Sequence, residues 1–161
     1  MWWLVLAAGC GVLGALVVRR SFVVVTVDGT SMSPTYHQGD RLLVRRRSAA
    51  ALRCGDVVLL RADATEVADV VGRPEHVTAD AVAGMVKRVV ALPGMSVPVE
   101  VAPVVRAGVD DVVPAGCLVV LGDNANGRDS RVFGYVSTRW VVGVVVRRLG
   151  PAAPDAEPAA S

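Results

Sequence analysis

Two serines, Ser31 and Ser33, stand two positions apart in the stretch VDGTSMSPTY (27–36), between Gly29 and Pro34. A serine hydroxyl attacks a carbonyl only when a base takes its proton. The two histidines have no triad-like company. His37 follows the turn PTYHQGD and His76 lies in a stretch of scattered charge, so both read as ordinary surface residues. The composition offers a different base. Of the 17 cationic side chains, 16 are arginine, and Lys87 is the single lysine. Arginine keeps its proton at any working pH, whereas a desolvated lysine loses it near neutrality. In GMVKRVVALPG (84–94) a strand period of two puts Met85, Lys87 and Val89 on one face and Val86, Arg88 and Val90 on the other. Apolar neighbours along its face then disfavour the Lys87 ammonium; the pattern alone leaves open that Arg88 takes the buried side. Ser-Lys pairs carry out acyl transfer on folds unrelated to the Ser-His-Asp enzymes. Gly29 gives the backbone before Ser31 the freedom to present an amide to an oxyanion. Ser33 precedes a proline, which biases it toward an extended turn role. Taken alone, SMSPT describes equally well a loop shaped by its serines.

Short strands must hold these residues. The 161-residue chain is 53% hydrophobic and 4% aromatic, with 16 Gly and 9 Pro, a valine-rich composition that favours strands and turns over long helices. Gly-Asp turns at 39–40 and 55–56 feed the apolar runs ending at Val44 and Leu60; a third opens the loop GDNANGRDS (122–130). Further strands are expected at Phe22–Val27, Val82–Ala91, Val97–Val101, Cys117–Leu121 and Trp140–Arg148. Residues 62–81 read as a loop or insertion, and the Pro/Ala-rich segment 150–161 as a disordered tail. The expected fold is mostly β, with one domain over 21–149.

Residues 2–18 are uncharged and end at Arg19 and Arg20. As a helix these 17 residues reach about 25 Å, close to the ~30 Å hydrocarbon core, with Trp2 and Trp3 suited to the interface. A cleavable leader would carry a charged start and a small-residue cleavage site, and both are missing. Residues 1–20 therefore read as a membrane anchor. The arginine pair after the span would, by the positive-inside rule, place the domain in the cytoplasm. The net charge of +2, without zinc-finger spacings, RNP-like aromatics or an extended basic stripe, argues against a nucleic-acid partner. Arg45–Arg47 read as a solvated strand end. Cys10, Cys54 and Cys117 form no CxxC pair, so no metal or other cofactor is expected. Cys54 and Cys117 read as small buried hydrophobes, with a disulfide between them open in an oxidising compartment.

Three segments in order after one N-terminal span, GTSMSPT (29–35), VKRVVALPG (86–94) and LGDNANGRDSRVFGYV (121–136), resemble the bacterial-type signal peptidase I family over residues 1–148. The resemblance implies a single N-terminal transmembrane helix followed by a compact β-sheet catalytic domain on the extracytoplasmic side of the cell membrane. It implies Ser31 as nucleophile and Lys87 as general base, acting on exported preproteins after small residues. Gly29, Thr30 and Met32 flank the nucleophile, whose own N–H helps hold the oxyanion. Gly122, Asp123 and Asn124 make a supporting turn, Asp129 and Arg131 an ion pair bracing it, and Arg88 answers Asp123. The valine-rich strands nearest the anchor would rest on the lipid surface. The sequence departs from the family pattern twice. Gly127 stands where many members have a serine that steadies the lysine. Gly29 stands where many have a serine donating to the oxyanion, a task left to Thr30 or water. Two other readings keep the same motifs: a maturation protease dedicated to one co-expressed substrate, and an idle membrane-tethered binding module, against which the retention of both Ser31 and Lys87 argues.

Overall fold

The computed structural model describes residues 20–61 and 84–151; the expected anchor (up to Arg19), the 62–81 insertion, the end of the tail, His76 and Cys10 lie outside these residues. The described residues form a seven-stranded antiparallel sheet in the order β1-β2-β7-β3-β4-β5-β6. Its strands are β1 (Phe22–Thr26), β2 (Asp40–Arg46), β3 (Val57–Leu60), β4 (Met85–Ala91), β5 (Cys117–Leu121), β6 (Val136–Ser137) and β7 (Val141–Pro151). Two single-turn helices, α1 (Ala102–Val105) and α2 (Ser130–Phe133), lie in the connections after β4 and β5. The mostly-β expectation is met. Among the described residues no helix is long and apolar enough to cross a membrane.

Apolar alternation decides which face each strand turns inward. In β3 all four residues are buried, because both faces of this central strand are covered. Val58 and Leu60 pack with Val89, Leu118, Phe133 and Trp140 on one side. Val57 and Leu59 pack with Val27, Met32, Leu42 and Val86 on the other. Such double burial removes the polar alternation of a half-exposed strand and leaves an unbroken apolar run. Where β7 crosses between β2 and β3, Gly143 is opposite Arg46 on one side and Leu59 on the other. A Cβ at Gly143 would lie 2.7 Å from the Arg45 carbonyl carbon and 2.9 Å from Arg46 Cα. Both are main-chain atoms of a paired strand and have no room to yield. Gly143→Ala is expected to lower stability by about 3 kcal/mol, read as a fall in the denaturant midpoint; an unchanged midpoint would show that β7 slides freely on β2.

Several boundaries differ from the sequence expectation. The segment Val97–Val101 is not a strand. Ser96 makes one bridge to Val112, and the N–H groups of Val101 and Ala102 then turn back to the Pro98 carbonyl and lead into α1. Pro98 has no N–H for a ladder, and Pro103 suits the first turn of a helix. Trp140 belongs to a 3-10 turn before β7 and is 2% exposed. Strand β7 continues through Gly150 and Pro151, opposite Arg41 and Asp40, and so takes in the first two residues expected in the tail. Both described cysteines are free thiols. Cys117 is half-buried but Cys54 is exposed, against the expectation of a buried hydrophobe. Its place in the Arg53–Asp56 turn accounts for this, with Sγ 3.4 Å from Met95 Sδ.

Candidate active site

The loop between β1 and β2 carries Ser31. It is closed at its base by the Val27 N–H donating to Asp40 O (2.8 Å) and the Gly39 N–H donating to Val27 O (2.9 Å). The buried Asp40 carboxylate reinforces the closure, accepting from the His37 N–H at 2.9 Å and pairing with Arg148 on β7 at 3.1 Å. Within the loop, Ser33 N–H reaches Thr30 O and Tyr36 N–H reaches Met32 O, so the chain coils tightly just past Ser31. Met32, 1% exposed, inserts among Val27, Leu42 and Val86 and roots the loop in the core. Ser31 and Ser33 are both half-buried, and His37 is exposed as expected. Gly29 has φ +91°, which side-chain-bearing residues rarely adopt, although a Cβ there would meet nothing within 4 Å. Its conformation, rather than its lack of bulk, selects glycine.

Strand β4 turns Lys87 inward to 2% exposure, opposite Val58, while Met85 and Val89 pack on the same face. Arg88 points the other way. Its Nε and Nη2 donate to the two oxygens of Asp123 at 2.8 and 2.7 Å, and Nη1 donates to Gly55 O at 3.0 Å. Lysine takes the buried face and arginine the half-exposed one. Burial pushes the Lys87 pKa below the ordinary lysine range; the Asp129 charge pulls it partly back up and Arg131 pushes it further down.

The loop from Gly122 to Arg131 touches both neighbourhoods. Asn124 donates its N–H to Ser31 O at 3.1 Å and its Nδ2 to Thr30 O at 3.2 Å, gripping the two carbonyls on either side of the Ser31 nitrogen and Cα. Asp123 also accepts the Thr35 hydroxyl at 2.5 Å, and the Arg88 guanidinium holds its carboxyl below the usual carboxylate range. Asp129 is fully buried. It caps α2 by accepting from Arg131 N–H, takes Gly122 N–H at 2.8 Å, and holds the Arg131 guanidinium through both oxygens. Burial works to raise the Asp129 pKa, but the Arg131 guanidinium and the two backbone N–H groups outweigh it and keep the carboxylate ionised. Arg131 Nη2 reaches on to Asn124 O at 3.1 Å. Gly127 lies so close that a Cβ would stand 3.1 Å from Ser31 Cβ and 3.3 Å from Asn124 O, and one on Gly122 would fall on the Ser31 carbonyl oxygen. One loop thus lies against the Ser31 backbone and brings the Asp129–Arg131 pair within electrostatic reach of the Lys87 amine.

All the supporting residues expected from the sequence fall in this region, in different ways. Thr30 acts through its carbonyl, Met32 through packing, and Arg88, Asp123, Asp129 and Arg131 through side chains. Two contributors were not expected. Thr35 ties the Ser31 loop to Asp123, and its only sequence signal is its place in SMSPT. Ser130 is fully buried with Oγ accepting the Val120 N–H at 3.0 Å, so its hydroxyl is engaged by β5 rather than standing in for the serine missing at Gly127. Among the described residues no group of three His, Cys, Asp or Glu side chains is placed to hold a metal ion.

A mostly-β domain whose 122–131 loop lies against Ser31 and carries an ion pair that acts electrostatically on a buried lysine suits amide-bond hydrolysis, and the comparisons agree with that class. The chain belongs to the signal peptidase, peptidase S26, family, whose model matches residues 1–110 and 98–149. Among curated proteins it is similar to "Probable signal peptidase I-1" of Synechocystis sp. (strain ATCC 27184 / PCC 6803 / Kazusa). The two are 32% identical over 145 residues, covering 78% of this chain and 70% of that protein.

Proposed function

We propose that Ser31 and Lys87 are the nucleophile and general base with which this signal peptidase removes the signal peptides of exported preproteins. The observation that carries the reading is the burial of the chain's single lysine, at 2% exposure, beside the loop that grips Ser31. A desolvated amine sheds its proton more readily, and a neutral amine is what a serine hydroxyl needs. In the first step Lys87 takes the Ser31 proton as the oxygen attacks the carbonyl at the end of the signal peptide. The oxyanion is met by the Ser31 N–H, with the Thr30 hydroxyl or water in place of the side chain that Gly29 lacks. The leaving amine takes the proton from Lys87; the Lys87 amine, neutral again, then takes a proton from the water that attacks the acyl-enzyme and returns it to Ser31 Oγ as the ester bond breaks. The coiled segment after Ser31, rooted by Met32, leaves Ser33 a turn-forming role. The apolar run 2–18 supports an anchor over residues 1–20, with domain 21–149 on the extracytoplasmic side where exported substrates emerge.

A peptidyl phosphonate ester ending in alanine tests the assignment. An activated serine displaces its alcohol and keeps the phosphonyl group, which survives digestion and mass spectrometry. The adduct is expected on Ser31. An adduct on Ser33, or equal labelling of a Lys87→Arg variant, would sink the reading.

A further inference from the structure

The loop that holds Ser31 also carries a linkage with a chemistry of its own. The chain's two asparagines, Asn124 and Asn126, both lie in GDNANGRDS (122–130). Asn124 is half-buried, commits its amide nitrogen to Thr30 O, and precedes Ala125, whose methyl group crowds the main-chain nitrogen beside it. Asn126 is exposed and precedes Gly127. A glycine leaves its nitrogen uncrowded and its backbone free to turn. A side chain at 127 would crowd the nucleophile instead, with Cβ 3.1 Å from Ser31 Cβ and 3.3 Å from Asn124 O. The close approach that seats this loop on Ser31 therefore leaves an unshielded Asn-Gly bond at its exposed turn.

We propose that Asn126–Gly127 is a self-modification site, where Asn126 becomes isoaspartate through a succinimide and the ageing enzyme is silenced. The Gly127 nitrogen gives up its proton and attacks Asn126 Cγ. The N–Cγ bond forms, the Cγ–Nδ2 bond breaks, and the side-chain amine leaves with a proton as ammonia. Water then opens the five-membered imide. Addition at Cγ gives aspartate; addition at the main-chain carbonyl gives isoaspartate, whose backbone runs through Cβ and Cγ. In the closed loop the Gly127 N–H donates to Asn124 O at 3.1 Å. The nitrogen attacks only when this turn opens, a local event far short of unfolding. The consequence falls on the nucleophile. Isoaspartate adds one methylene, about 1.5 Å, to the main chain. The insertion falls where Asn124 takes the Asn126 N–H on Oδ1 at 3.0 Å and the Gly127 N–H on its carbonyl. Asn124 in turn grips the Thr30 and Ser31 carbonyls. Displacement on that scale costs roughly 10²-fold in rate, so a modified molecule is in effect silent. The chemistry needs only this loop, while its effect on cleavage rests on Ser31 as nucleophile.

The full chain in detergent is aged at mildly alkaline pH and sampled for preprotein cleavage and for peptide masses. The tryptic peptide that spans Asn126 is expected to gain the mass difference between an amide and an acid, and an isoaspartate methyltransferase should label it. Residual cleavage should match the fraction without isoaspartate. Repeated methylation, which sends isoaspartate back through the imide to aspartate, should restore the rate. Asn126→Ser should start at full activity and keep it. Asn126→Asp should also start at full activity, which separates the inserted methylene from the added charge. Asp28–Gly29 is a second imide-forming bond, but its isoaspartate carries no mass change. No mass gain at Asn126, label confined to Asp28, a low starting rate in Asn126→Asp, or equal loss in Asn126→Ser overturns the inference. Isoaspartate at 126 with undiminished cleavage also overturns it, and leaves the nucleophile assignment standing where the phosphonate still marks Ser31. A phosphonate on Ser33 shows that the assignment itself has failed.

Discussion

Lys87→Met lowers the rate of preprotein cleavage by roughly 10³-fold or more while raising the melting temperature by about 3 °C. The two effects have one origin. The amine is buried at 2% exposure against Met85, Val58 and Val89, and a thioether of similar length fills that space without desolvating a cation. On the proposed assignment, stability is given up for a base, as at many catalytic positions. Lys87→Arg loses activity equally but melts lower, because a guanidinium cannot shed its proton in the same pocket. Ser31→Ala also costs roughly 10⁴-fold or more in kcat, and the Ser31→Ala/Lys87→Met double variant is no worse than the single one, since two groups that act as a unit do not add. The pH dependence follows from the same pocket. Cleavage rises with pH as Lys87 deprotonates, and burial sets that limb below the ordinary lysine range. Asp129 holds the proton on and Arg131 drives it off, so Asp129→Asn moves the limb to lower pH and Arg131→Gln moves it to higher pH. The linkage has the matching sign. The unfolded chain binds the Lys87 proton more tightly than the folded one, so stability rises with pH between the folded and free lysine values. Initial rates on a preprotein across a pH series, beside thermal melts, check all of this; a limb that ignores both variants removes Lys87 as the titrating base.

Gly122→Ala is expected to cost about 10²-fold in kcat with little change in KM, although Gly122 has no side chain to take part in catalysis. Its Cβ would land on the Ser31 carbonyl oxygen, which already accepts the Asn124 N–H. Neither atom can swing aside as a side chain would, so the nucleophile loop must shift as a body, and displacement on the scale of an ångström carries a loss of that order. Gly127→Ala makes the internal comparison. Its Cβ would stand 3.1 Å from Ser31 Cβ and 3.3 Å from Asn124 O, a crowding relieved by a few tenths of an ångström, and the loss should be at least tenfold smaller. Single-turnover cleavage separates the reacting step from binding in both variants. Equal behaviour of the two would mean that the loop does not set the position of Ser31.

The parts of this molecule that were legible in the sequence are those written as local alternation or as a scarce residue type. Cys117–Leu121 is a strand at the expected bounds because an apolar run lies between a turn and a Gly-Asp pair. Lys87 could be assigned to an apolar face because Met85 and Val89 flank it at strand period, although only the fold decides between it and Arg88. Val97–Val101 has three valines in five residues, but Pro98 turns it into a helix lead-in. The grip of Asn124 on Thr30 and Ser31 was not legible, since its acceptors are main-chain carbonyls that any residue would offer. For the same reason Gly122 looked like a turn residue and Gly127 like the site of a missing serine, when their bareness is required where this loop meets one about ninety positions away.

That separation has a bearing on when the enzyme can first act. Thr35 finds Asp123 across 88 positions and Asn124 finds Thr30 across 94, so the Ser31 loop lacks these two ties until the chain is made past Arg131. A partly synthesised molecule holds both the hydroxyl and the amine, but not the loop that sets one against the other. On the proposed assignment, a chain cut short before Gly122 is expected to stay silent without any propeptide, and activity to arrive only with the last strands.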